Sequence, residues 1–561
     1  VAGTQDQSEE PIERARICLS SGRFGEAERL CLQALERNPN QTTALAILGQ
    51  SLLAQSRLHE AEMAFRRATL IQPENPSFHF QLGVLKQANG QLSEAIGHVE
   101  QAVCLAPNLP QPHAKLGQLM VLLGEPERAI PHLRKALSLD PTFPPALKFL
   151  SHALLETGQI AEAEGTLREL ARLAPNDAEV SQMRGRANQQ RGEFEEAARA
   201  FEEAIRLDPE GSAAYVALTY SRKTLDKHLP LRKRMAEMVQ GPGLPAADRT
   251  LLHYSLGKAH DDLGEYEEAM KHFEEANRLS LVEREHAGVR FDRLVYRDAV
   301  ERLADFCADL EPVELGVIPS QSERPILIVG MVRSGTTLVD QILGAHPDVA
   351  TGGELAFWLE RVPSWPTAVS ALLPRLLTQS VAEYQELLDR ISPKANRVTD
   401  KMPMNYQVLG GILKAFPRAR VVHCRRNPVD TCISVFVTPY LKSPEFAHDR
   451  GNIVFAYREY QRLMSRWSLE FPAARFLEVE YERLVQDSEA VTRELISFAG
   501  LEWDDRCLNP QSDHGVVNTP SQWQVRQPIY RASIERWRNY EPWLGEFAQL
   551  LPERMLPELK P

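Results

Sequence analysis

No stretch of this 561-residue chain strings together the ~18 apolar residues that a helix needs to cross a bilayer, so no membrane span is expected. Cysteine is sparse. The seven (Cys18, Cys31, Cys104, Cys307, Cys424, Cys432, Cys507) are odd in number and never spaced C-x-x-C. This fits buried thiols in a reducing compartment better than a disulfide framework or a zinc site, so a cytoplasmic protein is expected. Positive charge is also short, 64 Lys and Arg against 76 Asp and Glu, a net −12. That balance argues against a general nucleic-acid binder or a protein of anionic membrane surfaces. There is no low-complexity block and no His/Cys/Asp cluster, so no metal is expected. The first residue is Val1 rather than Met, which leaves open a leader or anchor removed upstream.

What the first half has in abundance is repetition. Proline recurs at Pro39, Pro73, Pro107, Pro141, Pro175 and Pro209, each step being 34 residues. Alanine keeps the same step at Ala27, Ala61, Ala95, Ala129, Ala163 and Ala197. A second alanine column, Ala34, Ala68, Ala102, Ala136 and Ala204, is broken by Leu170. Gly49, Gly83, Gly117 and Gly185 form another, with Ser151 in the gap. Small residues at fixed positions let two helices pack closely, and proline ends the second helix before the next unit. After a degenerate stretch around 212–249, the pattern returns with Gly257, Gly264, Ala269 and Ala276. Residues 284–322 then read as a connector of one or two helices ending in Pro312 and Pro319.

The second half is organised around Arg324-Pro-Ile-Leu-Ile-Val-Gly-Met-Val-Arg-Ser-Gly-Thr-Thr-Leu338. Ile326 to Val329 reads as a buried strand, Gly330 to Gly335 as a loop, and the following apolar-periodic segment as a helix. Such a loop turns backbone N–H groups toward an anion at a helix N-terminus. Arg333 adds a full charge; Ser334, Thr336 and Thr337 add hydroxyls. Gly330, Gly335 and Thr337 fit the P-loop pattern G-x-x-x-x-G-K-[ST], but Thr336 stands where an NTPase has its phosphate-holding lysine.

Further short strands are expected at Val349-Ala-Thr351, Arg397 to Lys401, Ala419 to Arg426 and Arg475 to Tyr481, alternating with helices. This alternation implies a parallel sheet covered on both faces. Glu354 and Lys401 fall at strand ends, where open α/β sheets bind ligands. Arg426, at another strand end, with Ser434 eight positions on, makes a second anion-seeking element. The stretch 323–430 holds 13 Lys and Arg against 10 Asp and Glu, mildly basic, as an anionic ligand requires.

These residues carry two resemblances. The 34-residue pattern over about 8–211 is that of tetratricopeptide repeats. The lysine-less loop resembles the 5′-phosphosulfate loop of sulfotransferases that use 3′-phosphoadenosine 5′-phosphosulfate (PAPS). More narrowly, 324–540 resembles the tyrosylprotein sulfotransferases and the bacterial proteins that join such a domain to tetratricopeptide repeats. His346-Pro-Asp-Val349 is followed by Gly353-Glu354, which places Glu354 on that family's base. Asp400-Lys401 resembles its lysine segment, Ser521 to Pro528 its late serine segment, Arg536-Trp537 its Lys-Trp pair, and Tyr481 its adenine-side tyrosine. The match departs at Gly353 and Leu355, where those enzymes have glutamate and threonine, and past Ser434.

The fold implied is an α-helical tetratricopeptide solenoid followed by an α/β, P-loop-like sulfotransferase domain with a central parallel sheet. Expected boundaries are 1–283 for the solenoid, 284–322 for the connector and 323–561 for the catalytic domain. The resemblance implies PAPS, with adenosine 3′,5′-bisphosphate as product and no metal. Its cofactor contacts fall on Arg333, Ser334, Gly335, Thr336, Thr337, Arg426, Ser434, Tyr481 and Arg536. Its catalytic residues fall on Glu354 as base and on Arg333, Lys401 and Ser521 as stabilisers of the transferring group. The favoured acceptor is a tyrosine of a protein or peptide presented in the repeat groove. The alternatives are a glycan, lipid or small-molecule acceptor with the repeats as an assembly module, a homodimer included, and a non-catalytic adaptor. His346 and His423 are expected to be packing residues.

Overall fold

A computed structural model describes residues 9–369, 371–440, 444–510 and 531–552. These fall into two compact units that divide between Ala187 and Asn188.

The first unit is built of consecutive helix pairs, such as Thr42–Ala54 with Leu58–Ile71 and Pro76–Ala88 with Leu92–Leu105. Each column proline follows the end of a second helix, Pro39 after Arg37 and Pro73 after Ile71. The glycine column marks the closest approach within a pair. A Cβ on Gly49 would lie 2.7 Å from the Phe65 ring, and Gly83 and Gly117 stand equally tight against Val99 and Leu133. Gly257, in the second unit, meets Phe273 at 2.6 Å in the same sixteen-residue register. The pair Ala246–Asp262 and Tyr266–His286 therefore repeats the geometry of the units before it.

In the second unit a five-stranded, wholly parallel sheet runs β2-β3-β1-β4-β5. Its strands are β1 (Pro325–Gly330), β2 (Val349–Thr351), β3 (Arg397–Asp400), β4 (Arg420–Arg425) and β5 (Phe476–Glu480). The central β1 is buried along its whole length, as its Ile-Leu-Ile-Val run demands. Its pleat feeds two cores. Ile326 and Ile328 pack with Val339, Ile342 and Leu343 of the helix Thr336–Gly344 and with Leu495 of Ser488–Ala499. Leu327 and Val329 enter a larger core with Tyr406, Trp467 and Trp358.

Tyr254, Met270 and Phe273 of the last helix pair belong to this same larger core. Buried polar bonds reinforce the join. Tyr254 donates its hydroxyl to Asn277 Oδ1 at 2.8 Å, and Asn277 Nδ2 donates to the Phe436 carbonyl at 2.9 Å. The connector resolves as one helix, Arg293–Asp309, whose Val300, Leu303 and Cys307 enter the same core.

Candidate active site

All five strands point their carboxyl ends at one place. β1 runs into the loop 331–335, β2 leads to Glu354, β3 to Lys401, β4 to Arg426 and β5 to Tyr481. The chain crosses from one side of β1 to the other here, between β3 and β4, the position at which open parallel sheets take ligands.

The loop is shaped by close contact. A Cβ on Gly330 would lie 2.5 Å from the Cys424 carbonyl oxygen, and one on Gly335 would lie 2.6 Å from Tyr481 Cδ2. Gly335 also has φ +97°, which L-residues rarely adopt, and it caps the helix Thr336–Gly344. Arg333 adopts φ +71° without being glycine, a conformation that persists only where surroundings impose it. Ser334 is buried, and its Oγ has no hydrogen-bond partner among the described residues.

The second anion-seeking element meets the first. Arg333 Nε donates to Ser434 Oγ at 3.2 Å, and Arg426 Nη1 donates to the Arg333 carbonyl at 3.2 Å. Arg426 Nη2 donates to the Ser533 carbonyl at 2.7 Å, and the guanidinium stacks 4.9 Å from the Tyr481 ring centre. Its Nε is buried with no partner among the described residues. Burial pulls the Arg426 pKa below its ordinary value, only partly offset by the nearby Tyr481 and Asp430. A cation held this way lowers its energy by receiving an anion.

On the other side of β1, Lys401 Nζ donates to Glu354 Oε1 at 2.6 Å. The lysine side chain is 2% exposed and the glutamate 39%, so the carboxylate is the member that faces solvent. Behind them Thr399 Oγ1 donates to Asp340 Oδ1 at 2.6 Å. Burial raises the Asp340 pKa, against the pull of Lys401 and the Thr399 bond. Asp400 is pushed up to about 7 by burial, though Tyr384 and Asn405 both donate to it.

Residues 325–505 match the sulfotransferase family, and stretches including 12–76, 48–111, 120–187, 178–210 and 252–281 match tetratricopeptide repeats. The chain joins tetratricopeptide repeats to a sulfotransferase-family domain. An uncharacterized protein of Aquifex aeolicus is 31% identical over 339 residues, 56% of this chain and 43% of that protein. The protein-tyrosine sulfotransferase of Drosophila melanogaster is 23% identical over 253 residues, covering 39% and 48%. Human heparan sulfate glucosamine 3-O-sulfotransferase 6 is 28% identical over 193 residues, covering 31% and 52%. The chain thus spans about half the length of these relatives.

Within the sulfotransferase domain, the structure gathers Arg333, Ser334, Gly335, Thr336, Thr337, Glu354, Lys401, Arg426, Ser434 and Tyr481 at the strand ends. Arg536 is drawn toward the repeats: its Nη2 meets Asp261 Oδ2 at 2.5 Å, and Tyr540 donates to the other oxygen of the same carboxylate. Burial alone would raise the Asp261 pKa, but Arg536 and Tyr540 together hold it below its ordinary value. The next residue, Trp537, donates its backbone N–H to Asp430 Oδ1 at 2.7 Å, on the helix that carries Ser434. Ser521 lies outside the described residues. His346 bonds the Glu502 carbonyl and His423 the Tyr460 hydroxyl.

Three site neighbours escaped sequence reasoning. Asp340 hides in an apolar helix face, and Tyr440 carries no motif. The Tyr440 phenol is pushed up to about 12 by burial, with the Arg333 charge opposing and the Glu354 charge adding. Asp261 sits in a repeat, where nothing local marks it. Among the described residues, no group of His, Cys, Asp and Glu is arranged to hold a metal, and no helix is long and apolar enough to cross a membrane.

Proposed function

We propose that the protein transfers a sulfuryl group from PAPS to a hydroxyl acceptor, a tyrosine of a protein or peptide being favoured. The observation that carries this reading is the convergence, at one set of strand ends, of a lysine-less anion loop, a buried arginine and a lysine–glutamate pair. The residues fit the nucleotide: among the described residues the buried Ser334 Oγ and Arg426 Nε lack partners, which phosphate or sulfate oxygens would supply.

Bound PAPS would supply a sulfuryl group already activated by its phosphate leaving group. The loop's backbone and hydroxyls would bind the 5′ end, and Arg426 with Ser434 the 3′-phosphate. Tyr481, covering both Gly335 and Arg426, would line the adenine side. Arg536 would share its charge between Asp261 and the nucleotide. Glu354 takes the acceptor proton; a phenol of ordinary pKa ~10 becomes a competent nucleophile when a carboxylate removes its proton during attack. Arg333 and Lys401 place positive charge where the leaving oxygen gains negative charge, and Ser521 joins them on resemblance alone. The repeats would hold a protein acceptor remote from its reacting hydroxyl.

The similarity to a heparan sulfate glucosamine 3-O-sulfotransferase supports a second reading, a glycan acceptor with the repeats as an assembly module. Labelled PAPS offered with Tyr, Ser and Thr peptides beside a glycan panel separates the two. Label in tyrosine peptides supports the first, label confined to glycans the second, and label in neither rejects both.

A further inference from the structure

Two of the strands that gather the candidate site at their carboxyl ends begin in arginine at the other end of the sheet. Arg397 opens β3 and Arg420 opens β4, on either side of β1, and Arg418 precedes β4 by two positions. By the alternation of the strands, Arg397 shares a face with Thr399 and Arg420 with Val422, the face that the helix Ser488–Ala499 covers. The two guanidiniums converge where that helix ends. Arg397 Nε donates to the Ala499 carbonyl at 2.7 Å and Nη1 to the Asn396 carbonyl at 3.1 Å, which holds the group in place. A Cβ on Gly500 would lie 3.2 Å from Arg397 Nη2 and 2.9 Å from Arg420 Nη2, so glycine leaves the space into which both reach.

One carboxylate faces all three arginines without satisfying them. Glu323 Oε2 stands 3.7 Å from Arg397 Nη2 and 3.6 Å from Arg420 Nη2, and Oε1 stands 3.5 Å from Arg418 Nη1. A charge-assisted hydrogen bond closes to ~2.7–2.9 Å. Arg420 Nη1 is buried and has no hydrogen-bond partner among the described residues. The helix end adds only about half a negative charge, so three guanidiniums keep an excess of positive charge. Burial, and after it the Arg420 charge, pulls the Arg397 pKa below its ordinary value, with Glu323 opposing. Arginines packed this way are relieved by an anion with several oxygens, which reaches more than one guanidinium at once. Glu323 is the solvent-facing member, 41% exposed against 13% for Arg397 and 15% for Arg420, so it is the group that yields.

We propose that Arg397, Arg418 and Arg420 form a second anion site, for a free tetrahedral oxyanion of the phosphate or sulfate type, and that Glu323 occupies it until the anion arrives. β4 alone sets about 17 Å between Arg420 and Arg425, so this site is separate from the strand-end site. It stands whether or not the strand ends bind PAPS.

Calorimetry of the full chain with sodium phosphate and, separately, sodium sulfate, at ionic strength held constant with sodium chloride, tests this. Binding of either anion supports the site, and the tighter of the two names its ligand. Phosphate should still bind Arg426→Ala, but should bind Arg420→Gln at least about tenfold more weakly, the worth of one charged hydrogen bond. Glu323→Gln removes the competing carboxylate and should bind phosphate about two- to fivefold more tightly, the scale of an exposed ion pair. Ligand-free melting temperatures check the fold. Arg420→Gln removes one of two mutually repelling charges and should melt near or above wild type; if it melts far lower, the Glu323→Gln titration decides. Neither anion binding the wild type would overturn the site, as would loss of phosphate binding in Arg426→Ala, which assigns the anion to the strand ends. Weaker binding by Glu323→Gln would overturn it too, because the carboxylate would then be a structural partner of the arginines.

Discussion

Arg333 and Ser434, 101 positions apart, are joined by a hydrogen bond of 3.2 Å, so the two anion-seeking elements form one continuous lining. Arg426 lies alongside, bonded to the Arg333 carbonyl. Its replacement by alanine should weaken PAPS and adenosine 3′,5′-bisphosphate by at least tenfold, since one charged hydrogen bond contributes ~1.5–3 kcal/mol. Adenosine 5′-phosphosulfate, without the 3′-phosphate, should bind wild type far more weakly than PAPS and lose little further in the variant. Equal sensitivity of all three ligands in calorimetry would remove Arg426 from the 3′ side.

Glu354→Gln keeps the shape of the side chain and its contact with Lys401 but cannot take a proton. Nucleotide affinity should stay within a few-fold while turnover falls by ~10²–10⁴. Single-turnover transfer from labelled PAPS reads the chemical step directly; a near wild-type rate would place the base elsewhere.

Gly335→Ala meets two obstacles, a backbone at φ +97° and Tyr481 Cδ2 at 2.6 Å from the new Cβ. The left-handed backbone alone costs ~1–2 kcal/mol. Pairing it with Tyr481→Ala should relieve the steric part and leave the backbone part. Melting temperatures of both single variants and the double variant test this: strictly additive losses would show that the ring is not what the methyl group strikes.

Asp400 gives a pH signature. Its folded pKa of about 7 lies above the unfolded carboxylate value, because burial disfavours the charge. The folded state therefore holds a proton that the unfolded state releases, and the stability this contributes is fully present below the unfolded pKa. It is lost as pH rises toward and through 7, with no further change above. Asp400→Asn keeps an acceptor for Tyr384 without titrating. Melting temperatures across pH 4 to 8 should show the wild type declining relative to the variant, by a loss on the order of a few kcal/mol. Parallel profiles would mean that Asp400 is ionised throughout.

The fragment 324–561 should fail to fold alone, because it would expose the core surface covered by Tyr254, Met270 and Phe273. A fragment beginning at Asn188 keeps those residues and should retain cooperative melting. Thermal melts of the two fragments decide the matter, and a cooperative transition in the shorter one would show that the last repeat pair is dispensable.

Much of this was legible in the sequence where the signal is local. The β1 run, the two loop glycines and the short strands each announce themselves within a few residues, and all five strands lie within a residue or two of where the apolar runs put them. Glu354, Lys401 and Arg426 could be placed because each lies within three residues of the end of such a strand. The contact of Arg536 with Asp261, 275 positions away, has no such local signal. The buried Asp340 and Asp400 are invisible too, since their environment is assembled by Lys401, Tyr384 and Asn405 from other segments.

The shared core also divides the repeats by how freely they could change in number. A tetratricopeptide unit depends only on its immediate neighbours, so whole 34-residue steps within residues 1–187 could change in number without removing any side chain named at the strand ends. The pair Ala246–Asp262 and Tyr266–His286 has no such freedom, because deleting it would strip Asp261 from Arg536 and Asn277 from the Ser434 helix in one stroke. A change in repeat number that spares these contacts is therefore confined to residues 1–187.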